Sequence, residues 1–348
     1  MNLLHGVGDF FSLDIGTNSM RIVQLFGNSK SGWTLSRYAY VPIDQRLTAD
    51  NSELGRKRLG EAIMGAVNQA GIKTKNVALG LPASKTFTSI VETDTIPEKE
   101  LLKSFKYEMD KYVPMPLNDA KADFIILGPS PNDPAKTEVL VSSVAKEYVE
   151  STMEVIEKTG LNIVAMEPEP LAMARALSVP GAIDANMIVD FGEKSTDLVI
   201  VFKNQPRLVR SIPGGFEVLV KTAAASLNIR EDQSRQSILK FGLAQDQVDG
   251  QVFKVLSPSL DNYASELTKS VRFFQTKYLN GKVGGIVLSG FASIIPYFTE
   301  YIEAKTGIPT MKGNPWQSVR ATAEQQNALA PVSSEFAVVI GLSERSND

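Results

Sequence analysis

Short apolar segments divided by polar turns open the chain and predict β-strands. Leu13–Leu25 reads as an apolar strand, a polar turn containing glycine and a second strand rich in β-branched residues, which is the pattern of a hairpin. Trp33–Val41 continues as a further strand. Glu53–Ala70 has apolar residues at helical spacing and is closed by Gly71, and Val77–Leu81 is the next strand. This mixture predicts an α/β lobe.

The pattern changes from about Lys85, where strands and helices become shorter. A compact βαββα insert is predicted from the segments Phe87–Thr93, Glu98–Lys111, Ala122–Leu127, Val139–Ala145 and Glu147–Thr159. After the insert, Ile163–Leu177 runs from a strand into a helix, and Glu217–Leu279 is mostly helical. Gly285–Ser289 is a buried strand that ends in a glycine turn.

The predicted domains follow from this order of elements. Residues 10–84 and 161–182 form the first lobe, and 85–160 form the insert. Residues 183–345 form the second lobe, with a helical subdomain at about 217–283.

A repeat connects the two lobes. Leu13–Leu25 aligns without gaps on Val189–Val201. Both copies contain a strand, an aspartate (Asp14 or Asp190) and a turn with a glycine (Gly16 or Gly192). Both halves of the chain therefore open with the same hairpin.

Each turn has the chemistry of an anion site. Successive backbone N–H groups can form a nest for phosphate oxygens, and hydroxyl donors stand beside it, namely Thr17, Ser19, Ser195 and Thr196. Asp14 and Asp190, at the strand ends, can hold the waters of a hydrated Mg²⁺. For a single turn of this kind, ordinary turn chemistry is the alternative explanation, since Asp and Gly favour turns for local reasons. The presence of a second copy favours a polyphosphate site that both turns share.

Composition narrows the classes of function. The 348 residues are 43% hydrophobic and 22% charged, enough for two packed domains. The net charge of -3, without runs of like charge, speaks against nucleic acid. With no cysteine and only His5, thiolate and histidine metal sites are excluded. The sequence shows neither a signal peptide nor an apolar run long enough for direct membrane insertion, so a cytoplasmic location is expected.

Several longer segments carry a more specific pattern: Leu13–Arg21, Tyr107–Pro116, Glu266–Phe274, Ile308–Pro309 with Asn314–Trp316, and Phe336–Leu342. Together they resemble the PilM family, the actin-like cytoplasmic proteins of type IV pilus assembly. The resemblance implies an α/β fold of the actin-like class, a duplicated, ribonuclease H-like, two-lobed ATPase fold with the βαββα subdomain inserted in the first lobe. It also implies ATP and Mg²⁺ as cofactors, with slow or absent hydrolysis.

The resemblance assigns roles to residues of the expected nucleotide site. The phosphate loops also include Asn18 and Glu193, and Arg21 is a forked phosphate donor. Gly214 and Gly215 would approach the ribose and phosphates, Glu266 and Lys269 would reach the base or ribose, and Gly290 would lie beneath the adenine. Glu167 resembles the acidic residue that orients the attacking water; a helix-start carboxylate stabilised by the helix dipole is the equal alternative. Phe291 stands where the family has a second glycine, and it either stacks on the base or blocks it.

The resemblance also implies a partner. In PilM-like proteins the groove between the insert and the first lobe receives the N-terminal peptide of the membrane protein PilN. The expected groove residues are Tyr112, Val113, Pro114 and Met115, with loop packing as the alternative. Pilus motor ATPases and a homo-oligomer or ring are further partners that it suggests, with the protein peripheral to the inner membrane through its partners.

Two other functions remain as alternatives. A filament-forming relative of FtsA shares the position of the insert, but FtsA ends in an amphipathic membrane helix, whereas this chain stops soon after Leu342. A small-molecule phosphotransferase shares the hairpins, but the sequence reveals neither an acceptor pocket nor a general base for it.

Overall fold

A computed structural model describes residues 9–345, so His5 and the last three residues lie outside the description. The strands are β1 Phe11–Ile15, β2 Ser19–Asn28, β3 Gly32–Pro42, β4 Asn76–Leu81, β5 Thr86–Asp94, β6 Ala120–Pro129, β7 Lys136–Ala145, β8 Asn162–Pro168, β9 Ala185–Phe191, β10 Ser195–Phe202, β11 Gln205–Pro213, β12 Val283–Gly290, β13 Thr310–Lys312 and β14 Val319–Arg320. The helices are α1 Gln45–Ala49, α2 Glu53–Gln69, α3 Glu98–Glu108, α4 Lys146–Lys158, α5 Glu169–Leu177, α6 Phe216–Leu227, α7 Glu231–Phe241, α8 Gln251–Lys277, α9 Phe298–Thr306, α10 Ala323–Leu329 and α11 Ala337–Ser343.

Two of the sheets repeat one topology. The first has the order β14-β3-β2-β1-β4-β8, and the second has the order β11-β10-β9-β12-β13. In each, a three-stranded antiparallel meander is followed by two parallel strands, β4 and β8 in the first sheet and β12 and β13 in the second. The duplication predicted from the hairpins therefore extends over both sheets, and the predicted α/β fold is confirmed.

The predicted βαββα insert is present as β5, α3, β6, β7 and α4. Its strands form a three-stranded antiparallel sheet in the order β5-β7-β6. One face of this sheet packs on α3 through an apolar cluster that includes Leu101, Phe105 and Val141. The other face carries Leu140 and Val144, because side chains alternate along a strand.

The chain divides into two compact units. Unit 1 holds the described residues up to Ala176, then Pro315–Pro331 and the residues from Phe336 onward; unit 2 holds Leu177–Asn314 and Val332–Glu335. The predicted division instead placed all of 183–345 in the second lobe. The C-terminal segments belong to unit 1 because β14 pairs with β3 and α11 packs on β1, β2 and β4.

Each unit has its own apolar core. In unit 2 the core lies between the sheet and helices α6 to α9, with Leu198, Leu267 and Phe274 almost fully buried. In unit 1, Leu13, Ile22 and Ile63 lie between the sheet and α2. Within residues 9–345, no helix is both long enough and apolar enough to cross a bilayer.

Candidate functional site

The two predicted phosphate turns have the same local geometry. In the first, the Gly16 N–H donates to the Ser19 carbonyl at 3.0 Å; in the second, the Gly192 N–H donates to the Ser195 carbonyl at 3.0 Å. The strand registers also correspond, since Asp14 lies opposite Arg21 and Asp190 lies opposite Asp197. The gapless alignment of the sequence is thus matched by the pairing of the backbone.

The first turn is stabilised by an ion pair. The Arg21 Nε lies 3.0 Å from the buried Asp14 carboxylate. A Cβ at Gly16 would overlap the Arg21 guanidinium and lie 3.1 Å from the Ser19 carbonyl oxygen, so a larger residue there would have to displace the Arg21 side chain. Thr17 is partly buried and Asn18 is exposed, and the Asn18 carbonyl accepts from Ile43 N–H at 2.9 Å. The predicted metal ligand and the predicted phosphate donor therefore bind each other in this structure.

The second turn has a carboxylate at the position where the first turn has a guanidinium. Asp197 stands where the first hairpin has Arg21, and burial raises its pKa to about 6, against hydrogen bonds from Ser211 and Ser195 that lower it. Gly290 packs against Asp190, because a Cβ there would lie 2.7 Å from the Asp190 Oδ1. The second turn therefore has two carboxylates side by side and no arginine at the position of Arg21.

Residues predicted for the adenosine side do meet the second turn. The Gly214 N–H donates to the Lys194 carbonyl at 3.1 Å, and Thr196 Oγ1 donates to the Gly214 carbonyl at 3.0 Å. Gly215 has no room for a Cβ because the Gly192 carbonyl oxygen occupies that space. The glycine pair thus lies directly on the phosphate turn of unit 2.

The remaining adenosine candidates of unit 2 have partners within the unit. Lys269 Nζ lies 2.7 Å from the Glu266 carboxylate, and Arg210 lies 3.5 Å from it. Phe291 stacks on Phe216 with ring centroids 4.3 Å apart and an interplanar angle of 19°. One face of the Phe291 ring is therefore covered by Phe216. An adenine base could contact only the other face of this ring or its edge.

Glu167 lies at the end of β8, in a cluster of two arginines. Its Oε1 accepts from Arg175 at 2.7 Å and its Oε2 accepts from Arg345 at 2.9 Å, while only 5% of the residue is exposed. These bonds tie β8 to α5 and to the C-terminal segment. The role of Glu167 in orienting water stays a prediction.

Glu169 is a second acidic residue near this position that the sequence prediction did not single out. Helix α5 begins at Glu169, whereas Glu167 is still in the strand. The predicted role belongs to an acidic residue at the start of this helix, a position that Glu169 fills. The signal in the sequence was the second Glu-Pro pair, Glu169-Pro170, two residues after the first.

A groove of about 210 Å³ opens in unit 1 along strand β6 of the insert. Its lining runs through Lys121, Ala122, Asp123, Phe124 and Ile125 on β6, Leu140, Ser142, Ser143 and Val144 on β7, Leu81, Thr86 and Val149, and Met166, Glu167, Pro168, Leu171 and Arg345. Consecutive β6 residues line it although their side chains alternate between faces. The groove therefore follows the free edge of the strand as well as one face of the sheet.

The predicted groove segment packs elsewhere in the insert. Val113 is buried in the cluster on α3, and Tyr112 stacks on Phe105 at 4.9 Å. Met115 is partly buried against the same cluster and Pro114 is exposed. None of these four residues lines the 210 Å³ groove. Their predicted contact with a partner stays a prediction.

A buried acid beside this groove predicts a pH effect on stability. The Glu344 carboxyl lies against Ser318, and burial raises its pKa from 4.5 to about 6. Because the folded form binds its proton more tightly, this stabilisation is present below pH 4.5 and is lost as the pH rises through about 6, a change of about 2 kcal/mol. The Glu344→Gln variant lacks this carboxyl and therefore lacks this pH-dependent stabilisation.

The measurement is the free energy of unfolding in urea from pH 4 to pH 7. The difference between the unfolding free energies of wild type and Glu344→Gln should fall by about 2 kcal/mol from pH 4 to pH 7. Asp197, whose pKa is also raised, is present in both proteins and cancels in the difference. Parallel pH profiles would show that Glu344 titrates normally.

Comparison with known proteins identifies the family. A sequence model of the family described as type IV pilus assembly protein PilM matches residues 12–347. The cell division protein FtsA of Enterococcus faecalis is 24% identical over 271 residues, which cover 68% of this chain. The match spans only 58% of the length of that protein.

Solved structures show the same fold. A PilM–PilN type IV pilus biogenesis complex contains a chain that matches with a TM-score of 0.82 and 21% identity, covering 98% of this chain and 99% of the other. MreB 5 of Spiroplasma citri bound to AMPPNP matches with a TM-score of 0.54 and 12% identity over 96% and 95%. Since the family model spans nearly the whole sequence, this chain belongs to the type IV pilus assembly protein PilM family.

Proposed function

We propose that this protein is an ATP-binding adaptor of type IV pilus assembly that holds a peptide of a PilN-like membrane protein in the groove beside β6. The observation that carries the proposal is the groove itself, which lies between the insert and the β8–α5 junction in a chain of the PilM family. The match to a chain of the PilM–PilN complex supports the choice of partner. Through this peptide the protein would be held at the inner membrane, where motor ATPases could dock on it.

The edge of β6 supports an extended occupant. Within residues 9–345, β6 pairs only with β7 in the three-stranded sheet, so no strand covers its other edge. A peptide that adds a strand here would offer its carbonyl oxygens to the N–H groups of that edge. Apolar side chains of the peptide would face Leu140, Val144 and Leu171. Backbone hydrogen bonds between the peptide and β6 would supply the affinity, and the apolar contacts would supply the specificity.

The residues present fit ATP with Mg²⁺. Each hairpin has a closed glycine turn next to a strand-end aspartate, and Gly215 lets the backbone approach the second turn. Within residues 9–345, no group of three or more His, Asp or Glu side chains is arranged to hold a metal alone. In the proposal, Asp14 and Asp190 would hold Mg²⁺ through water, and the ion would offset the charge of the phosphates. ATP would supply the phosphate charge that the N–H groups of each glycine turn are suited to bind.

Within this proposal, the adaptor works by nucleotide-dependent shape and hydrolysis is secondary. Glu169 joins Glu167 as a candidate for orienting water, because Glu169 begins the helix and Glu167 is held by two arginines. A ring or filament of this chain is the second candidate, favoured by the match to FtsA. Sedimentation with and without ATP separates it from a monomeric adaptor.

Asp14→Asn and Asp190→Asn are expected to lower the affinity for ATP–Mg²⁺ by about 30-fold each, the effect of losing one charge-assisted contact. Asparagine keeps the shape of the side chain, but Asp14→Asn also removes the charge that pairs with Arg21, so thermal unfolding without nucleotide checks that this variant is folded. Calorimetric titration of ATP–Mg²⁺ into wild type and both variants measures this, with exposed Asp246→Asn as the matched control. Absence of heat with wild type would reduce the protein to an adaptor without nucleotide.

A further inference from the structure

A carboxylate stands inside the turn that the proposed function assigns to phosphate. Glu193 is the second residue of the turn Gly192–Ser195, and its side chain is only 8% exposed. A negative side chain at this position would repel a polyphosphate, and the repulsion is strong where water is scarce. The first turn has Thr17 at the equivalent position, so the two turns differ here. The second turn therefore needs a compensating cation.

Arg235 of α7 provides that cation. Its guanidinium binds both carboxylate oxygens of Glu193, with Nη1 lying 3.1 Å from Oε2 and Nη2 bound to Oε1. A bidentate ion pair of this kind fixes the orientation of the carboxylate and also neutralises its charge. The Glu193 carboxylate is therefore held on the α7 side of the turn.

Two aromatic rings support the guanidinium. Its carbon lies 4.8 Å from the centroid of Phe216 and 5.8 Å from that of Phe291, and these two rings stack on each other. Phe216 also donates its N–H to the Gly192 carbonyl at 2.9 Å, which joins the ring to the turn. Four segments of unit 2 therefore meet at Arg235: the turn, the start of α6, α7 and the turn after β12.

We infer that Arg235 is a positioning residue for the nucleotide: it neutralises Glu193 and holds its carboxylate on the α7 side, so that the second turn accepts a polyphosphate. The inference rests on the proposed function, since it assumes that the Gly192–Ser195 turn binds phosphate. Phe291 then has a role in supporting Arg235, which explains why a large ring stands after Gly290. Loss of Arg235 exposes the ligand to the charge of Glu193, and removal of that charge should reverse the loss.

The test is a double-substitution cycle read by calorimetry with ATP–Mg²⁺. Arg235→Met should weaken binding by about 30-fold, Glu193→Gln should change it by less than about 3-fold, and the double variant should return to within about 5-fold of wild type. Arg230→Met is the matched control, because Arg230 sits at the start of the same helix and pairs with the exposed Asp232. Thermal unfolding without nucleotide checks that each variant is folded.

The outcomes separate this inference from the proposed function. If the double variant is as weak as Arg235→Met, Arg235 serves only the structure and the inference is overturned. Equal binding by wild type and Arg235→Met overturns the inference but leaves ATP binding intact. No heat with wild type overturns both. If Arg235→Met does not fold, Arg235→Lys, which keeps the charge and loses the fork, should bind about 5-fold more weakly than wild type; unchanged binding by that variant counts against the inference.

Discussion

Ile125→Lys is expected to weaken binding of the partner peptide by about 100-fold, because it places a charge in the apolar part of the groove where desolvation is costly. Ile125 lies on β6, lines the groove and is 51% exposed, so lysine can reach solvent in the free protein without disturbing the core. The fold should remain, while an apolar side chain of the peptide loses its contact surface. Fluorescence anisotropy of a labelled N-terminal peptide of the PilN-like protein measures the dissociation constant.

Leu102→Lys is the matched control for this substitution. Leu102 lies on α3, away from the groove lining, and is 45% exposed, close to the value for Ile125. It should bind the peptide as wild type does. Equal affinities for Ile125→Lys and wild type would show that the peptide binds elsewhere, for example at the Tyr112–Met115 segment.

Gly341→Ala is expected to destabilise unit 1 by about 3 kcal/mol, the upper range for overpacking a core. Helix α11 passes so close to α5 that a Cβ at Gly341 would lie 3.1 Å from the Ala172 Cα and overlap its carbonyl oxygen. The Arg175 guanidinium, which binds Glu167, also donates to the Gly341 carbonyl. Separation of the two helices would therefore disturb the wall of the groove as well as the core.

Urea unfolding measures this loss, with Gly65→Ala as the control. Gly65 lies in the exposed middle of α2, and nothing lies within 4 Å of a Cβ placed there. Alanine at that position should stabilise the helix by up to about 1 kcal/mol. A neutral Gly341→Ala variant would mean that α11 can move away from α5 at little cost.

Local sequence patterns predicted the repeated parts of the fold well. The alignment of Leu13–Leu25 with Val189–Val201 gave both hairpins, and their registers correspond pair for pair. The βαββα insert and the helix from Glu53 were also confirmed, since Ser52 caps that helix by accepting the Gly55 N–H. These features depend on short-range periodicity and turn chemistry, which a single sequence displays.

Features that depend on distant contacts were beyond the sequence. Nothing in the local sequence shows that α11 packs on β1, or that Arg345 contacts Glu167 from 178 residues away. The sequence of the Tyr112–Met115 segment is compatible with a partner groove and, more often, with loop packing, and Val113 is buried in the same cluster as Phe105 and Val141. The groove residues Leu140, Met166 and Arg345 come from separate segments, so no motif unites them.

Hydrogen–deuterium exchange of the full chain, with and without the N-terminal peptide of the PilN-like protein, tests the central claim most directly. The proposed groove predicts slower exchange in Ala120–Pro129, the edge strand, together with the end of β8 and the start of α5. Strand β2, outside the groove, should exchange as before. Binding that leaves Ala120–Pro129 unprotected would contradict the assignment of this groove to the partner.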